Sequence, residues 1–197
     1  MGVAASVGRA ADKSADLVRH VPKPFSLTGV TAGQRTLILM RHAKSDYPDG
    51  VADHDRPLAS RGIREAGLAG EWLRVNVPSI ELVLCSSATR TRQTLDYTAI
   101  DAPVNYSERL YGATPGTMLA EINQVPDDVA TVMVVGHEPT MSQLSLGLAD
   151  PDRSDPEAAD QISIKYPTSA IAVLNVPGSW AALELGGAEL ALFHVPR

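Results

Sequence analysis

Two histidines and several arginines stand directly after short apolar runs in this chain, and together they suit the transfer of a phosphoryl group. Arg41-His42-Ala43-Lys44-Ser45 follows Thr36-Leu37-Ile38-Leu39-Met40. Ser86-Ser87-Ala88-Thr89-Arg90-Thr91-Arg92 follows Glu81-Leu82-Val83-Leu84-Cys85, and Gly136-His137-Glu138-Pro139 follows Thr131-Val132-Met133-Val134-Val135. A neutral imidazole, with a reference pKa of about 6.5, keeps a lone pair free to attack phosphorus near pH 7. Charge developing on the phosphoryl oxygens then needs fixed positive donors, and the planar fork of arginine donates two hydrogen bonds while staying charged. A lone histidine after a strand is more often a hydrogen-bonded structural residue, and an arginine in a first helical turn is usually a solvated charge. The coincidence of all three segments at strand ends is what points to a site.

Positioning them requires buried strands alternating with helices. The three apolar runs read as strands covered on both faces of a sheet. Helices are expected over residues 60–76, with Ser60 as N-cap and Ile63, Ala66, Gly70 and Leu73 on one face, then over 88–99 and 140–148. Residues 150–160, acidic and interrupted by Pro151 and Pro156, read as a surface loop; residues 169–176 and 189–195 read as two further strands, antiparallel to each other. The order predicts a three-layer α/β/α sandwich with a mainly parallel central sheet. Ligands in such sheets sit beyond the carboxyl ends of the strands, where the three polar segments fall.

The chain has 197 residues, 44% of them hydrophobic, enough for one domain with an appendage. Residues 1–35 carry a net charge of +3 and the other 162 residues −9, within a total of −6. Residues 1–34 are therefore expected to be a flexible basic leader, with a short helix across residues 9–20, and residues 35–197 the domain. The acidic balance argues against a nucleic-acid or membrane partner, no apolar run is long enough for a membrane span, and no signal-like apolar segment opens the chain. The single cysteine, Cys85, cannot pair internally, which fits a cytoplasmic protein. Asp53, His54 and Asp55 lack helix-spaced metal-ligand geometry and read as a solvated loop, so neither metal nor cofactor is expected.

Arg41-His42-Ala43, Ser86 with Arg90 and Gln93-Thr94, and Gly136-His137-Glu138-Pro139, in that order, resemble the histidine phosphatase superfamily, which includes phosphoglycerate mutases and phytases. Arg-His-Ala in place of Arg-His-Gly, the stretch Asp53-His54-Asp55-Arg56-Pro57-Leu58, and Pro167-Thr168-Ser169-Ala170 are similar to the SixA-type phosphohistidine phosphatases. The resemblance implies a phosphoglycerate mutase-like fold and His42 as the phosphorylated nucleophile. It further implies that Arg41 and Arg90 grip the phosphoryl oxygens and that His137 adds a donor. Helical periodicity does not choose between Arg90 and Arg92; the family spacing selects Arg90 and leaves Arg92 as a surface or packing charge. Glu108, between the second and third motifs, is the candidate general acid or base, against a reading as a solvated carboxylate. Pro48 stands near where mutases carry an asparagine, and the insertions that shape a phosphoglycerate or phytate pocket are absent. The expected substrate is thus a phosphorylated one, foremost a phosphohistidine-bearing protein domain. A small phosphomonoester, or a non-catalytic phosphate-binding module, are the alternatives.

Overall fold

A computed structural model of the chain describes residues 1–2 and 34–197. The expected leader, including its helix across residues 9–20, lies almost wholly outside the described residues. Six strands form one sheet: β1 (Gln34–Arg41), β2 (Leu82–Ser86), β3 (Val104–Ser107), β4 (Thr131–Gly136), β5 (Ile171–Pro177) and β6 (Glu189–His194), in the spatial order β3-β2-β4-β1-β5-β6. Strands β1 to β4 run parallel, whereas β5 is antiparallel to both β1 and β6. The sheet is mainly parallel and the two late strands are antiparallel to each other, as expected.

Five helices cover the two faces: α1 (Ser60–Asn76), α2 (Thr89–Thr98), α3 (Pro115–Ile122), α4 (Thr140–Leu148) and α5 (Pro156–Ile164). Successive side chains of a strand point to opposite faces. Ile38 and Met40 accordingly pack with Ala69 and Leu73 of α1 and Leu95 of α2, while Leu37 and Leu39 pack with Met118 of α3, Leu144 of α4 and Ile162 of α5. Burial on both faces is why β1, β2 and β4 read as unbroken apolar runs. The result is a three-layer α/β/α sandwich.

Three expectations need correction. Ala59, not Ser60, holds the N-cap position of α1, and no side chain caps that end. The buried face of α1 is Gly62, Glu65, Ala66, Ala69, Gly70 and Leu73, and Ile63 is exposed. The reason is backbone approach: a Cβ on Gly62 would lie 2.1 Å from the Lys44 carbonyl oxygen, and one on Gly70 2.0 Å from that of Thr98. Glycine at both places lets the helix seat on its small-residue side and turns Ile63 outward. Finally, the acidic segment 150–160 is only half loop. Asp155 accepts from the N–H groups of Glu157 and Ala158, Pro156 fills the first helical position, and α5 begins there.

Candidate active site

The parallel register of β1 and β4 sets Arg41 opposite Gly136, so the next residue of each strand, His42 and His137, emerges side by side. Their ring centroids are 5.1 Å apart. The chain leaves β1 for α1 on one face and β4 for α4 on the other, which makes the crevice between these strands the switch point where open α/β sheets bind ligands. The His42 N–H donates to the Gly136 carbonyl (2.9 Å), and the His42 carbonyl accepts from the Ser169 N–H (3.2 Å). Ser169 is fully buried with φ +65°, a left-handed backbone that a serine keeps only where its surroundings enforce it. The Ala43 N–H donates to Thr94 Oγ1 (2.9 Å), and the Thr94 hydroxyl donates to the Arg90 carbonyl (2.6 Å). Gln93 accepts from the Leu58 N–H (2.7 Å). Gln93 and Thr94 thus bind the turn around His42 to α2.

His42 Nδ1 lies 2.7 Å from the Ala43 carbonyl oxygen. A carbonyl can only accept, so Nδ1 carries the proton and Nε2 the lone pair. Burial first, with the charges of His137, Arg90 and Arg41, pushes the His42 pKa down to about 3. His137 Nε2 is 2.8 Å from Ser86 Oγ, and burial, followed by the charge of Arg90, pushes its pKa down to about 4. Both rings are neutral at pH 7.

These depressed values give a pH dependence of stability. An unfolded histidine binds its proton below about pH 6.5, whereas these two resist until about 3 and 4 in the fold, so the unfolded chain holds more protons in between. Their contribution is fully present above about pH 6.5 and is lost as pH falls through the folded values. Urea unfolding at pH 5 should therefore show a loss of roughly 2 kcal/mol per histidine relative to pH 7.5. The His42→Gln variant should lose part of that slope; equal slopes in the two proteins would contradict the assignment.

Arg41 is half-buried and donates through Nη1 to the Tyr166 carbonyl (2.6 Å), while Tyr166 donates its own hydroxyl to the Leu39 carbonyl (2.6 Å). Arg90 is buried and is oriented by Asp53: Nη1 donates to the Asp53 carbonyl (2.6 Å) and Nη2 to Asp53 Oδ2 (3.1 Å). The Tyr111 hydroxyl donates to the same Oδ2 (2.7 Å), and Arg56 Nη1 to Oδ1 (2.7 Å). Tyr111, Arg56 and Arg90 hold the Asp53 carboxyl well below the usual carboxylate range. The segment Asp53–Asp55 is largely exposed, in keeping with the solvated reading, but it is a 3₁₀ turn and not an irregular loop, and its leading carboxylate braces Arg90. Nothing local in the sequence ties Asp53 to Arg90, 37 residues away; the signal that singled it out is the resemblance of Asp53-His54-Asp55-Arg56-Pro57-Leu58 to the SixA-type pattern. Arg56 lies 3.3 Å above the exposed Tyr47 ring, on the outer side of this brace.

Glu108 sits apart. It opens a second 3₁₀ turn, Glu108–Leu110, with its side chain 77% exposed, and its Oε2 is 3.9 Å from Nε2 of His54. Arg92 is exposed and lies over the Tyr106 ring at 5.0 Å, a surface position. Glu138 caps α4, accepting from the N–H and hydroxyl of Ser142. Among the described residues no group of three His, Cys, Asp or Glu side chains is placed to hold a metal ion, and no helix is long and apolar enough to cross a membrane.

Two neutral imidazoles with two arginines beside them, at the switch point of an α/β sandwich, suit the handling of a phosphoryl group. Residues 37–130 match the family model for the histidine phosphatase superfamily (branch 1). The chain is 65% identical over 158 residues to protein Rv1276c of Mycobacterium tuberculosis, covering 80% of this chain and all of that one. It is 30% identical over 150 residues to phosphohistidine phosphatase SixA of Escherichia coli, covering 73% of this chain and 86% of SixA. A SixA-type structure from Nakamurella multipartitia superposes with a TM-score of 0.76 at 44% identity, covering 84% of this chain and 98% of that one. The chain belongs to the histidine phosphatase superfamily, in its SixA-type branch, and is a phosphatase with the phosphoglycerate mutase-like fold.

Proposed function

We propose that this phosphatase hydrolyses phosphohistidine on a protein partner through a phospho-His42 intermediate, in the cytoplasm. The observation that carries the reading is the state of His42: a neutral ring, its Nδ1 proton committed to the Ala43 carbonyl, presenting the Nε2 lone pair beside Arg41 and Arg90. In the first step Nε2 attacks phosphorus and the P–N bond of the substrate breaks. The substrate imidazole leaves with its electron pair and takes up a proton. In the second step water attacks phospho-His42, releasing phosphate and restoring the neutral ring. Arg41, Arg90 and His137 bear on the phosphoryl oxygens, and Glu108, exposed and 3.9 Å from His54 Nε2, is the carboxylate proposed to serve proton transfer. The SixA relative is a phosphohistidine phosphatase by name, and an imidazole leaving group needs less protonation than an alkoxide, which accords with so exposed a carboxylate.

The test is a comparison of kcat/KM for a phosphohistidine-bearing protein domain with a panel of sugar and nucleotide phosphates, using His42→Ala as control. The protein substrate should lead by about 100-fold or more, a margin that contacts beyond the phosphoryl group can supply. A small phosphomonoester leading by that margin would reverse the substrate assignment.

A further inference from the structure

At the mouth of the site a hydroxyl, an imidazole and a carboxylate form a chain that none of the roles above uses. His54, the middle residue of the 3₁₀ turn Asp53–Asp55, has Nε2 2.9 Å from Ser87 Oγ and Nδ1 3.2 Å from Asp55 Oδ1. Since a carboxylate accepts, Nδ1 keeps its proton and Nε2 faces the hydroxyl, the orientation in which an imidazole exchanges a proton with a hydroxyl group. Both ends adjoin residues of the site along the chain. Ser87 directly follows Ser86, which bonds His137, and His54 directly follows Asp53, which braces Arg90. The His54 ring meets Tyr111 edge-on at 4.9 Å, and Tyr111 meets His137 edge-on at 5.6 Å.

We propose that Ser87 and His54, flanked by Asp55 and Glu108, form the proton relay of the site, and that it extends the reaction to alkyl phosphate monoesters. The proposal rests on the phosphatase reading. As the P–O bond of an alkyl ester breaks, the Ser87 hydroxyl gives its proton to the leaving oxygen and takes one from Nε2 of protonated His54, leaving His54 neutral. When water then attacks phospho-His42, its proton passes to Ser87 and from Ser87 back to His54 Nε2, so the cycle closes without a co-reactant. His42 and His137 are buried and neutral, whereas the His54 side chain is 33% exposed and can exchange protons with solvent. The groups facing it are Asp55 from its own turn, Ser87 from the β2–α2 junction, Glu108 from the second turn and Tyr111 just after it.

A leaving-group comparison on the full chain tests the relay. A p-nitrophenolate departs with little need of a proton, while a glycerolate requires one. His54→Gln and Ser87→Ala should therefore lower kcat/KM for glycerol 2-phosphate by about 100-fold, but for p-nitrophenyl phosphate by less than about 10-fold, with thermal midpoints close to wild type. Equal losses on both esters would mean a structural role and overturn the relay, as would no loss on the alkyl ester. A wild type that cleaves the aryl ester and not the alkyl ester would also overturn it, leaving the phosphatase reading intact. A wild type inactive on both esters and on phosphohistidine would instead defeat that reading.

Discussion

Replacing His42 by alanine should lower kcat/KM by about 10,000-fold or more and abolish the phosphoenzyme. In the proposed mechanism the substitution removes the atom that forms the bond to phosphorus in the first step, and the arginines that remain can bind a phosphoryl group without accepting it. Among the described residues the ring paired with His42 is that of His137. The His137 ring is turned by its bond to Ser86 and its centroid is 5.1 Å away, so it does not occupy the vacated position. The measurement is steady-state hydrolysis of p-nitrophenyl phosphate, joined to alkaline quenching of the wild type with labelled substrate. A phosphorylated imidazole is labile in acid and stable in base, so label surviving alkali in the wild type and missing in His42→Ala identifies the intermediate. A variant keeping a tenth of wild-type activity would remove His42 from the chemistry.

The second large effect belongs to Arg90. Arg90→Ala should cost about 1,000-fold in kcat, the scale on which a guanidinium stabilises phosphoryl-transfer transition states. Arg90→Lys should recover only part of this. Asp53 engages Nη1 and Nη2 of Arg90 with its carbonyl and carboxylate, and that hold fixes the plane of the remaining N–H donors. An ammonium group keeps the charge but has no plane to fix. A lysine variant with wild-type kcat would show that charge alone is used and that the brace is irrelevant to catalysis.

The sequence was most informative where burial on both faces imposes a pattern. Strands β1, β2 and β4 are continuous apolar runs, and the motifs at their carboxyl ends fall at one edge because parallel strands align those ends. It was least informative where burial is partial or elements are short. Strand β3 is an edge strand with Asn105 and Tyr106 exposed, and its four residues carry no alternation that distinguishes them from a loop. Helix α3 has only eight residues, too few for a helical period to stand out. Helix α5 was masked by acidic residues that serve as its cap and solvent face. Of the candidate site residues, His42, His137 and Arg41 stand out because each lies in or beside a strand end, whereas Arg90, inside α2, is chosen over Arg92 by the family spacing alone. The brace on Arg90 does not stand out, because its members, Asp53, Arg56 and Tyr111, meet only through the folding of the β1–α1 and β3–α3 connections. Glu108 was placed between two motifs by order alone, and order does not say how far from His42 a loop carboxylate will stand.

The close seating of α1 has a consequence for how this enzyme could change. Gly62 and Gly67 lie in the same helix, and helix propensity alone would reward alanine at either. At Gly67 an added methyl group meets open space, whereas at Gly62 it meets the carbonyl of Lys44, two residues past His42. Drift can therefore stiffen one part of the helix freely, while at Gly62 any gain in helix formation displaces the backbone that aims His42. Selection for durability and selection for turnover act there on a single hydrogen atom, and only the second can keep it.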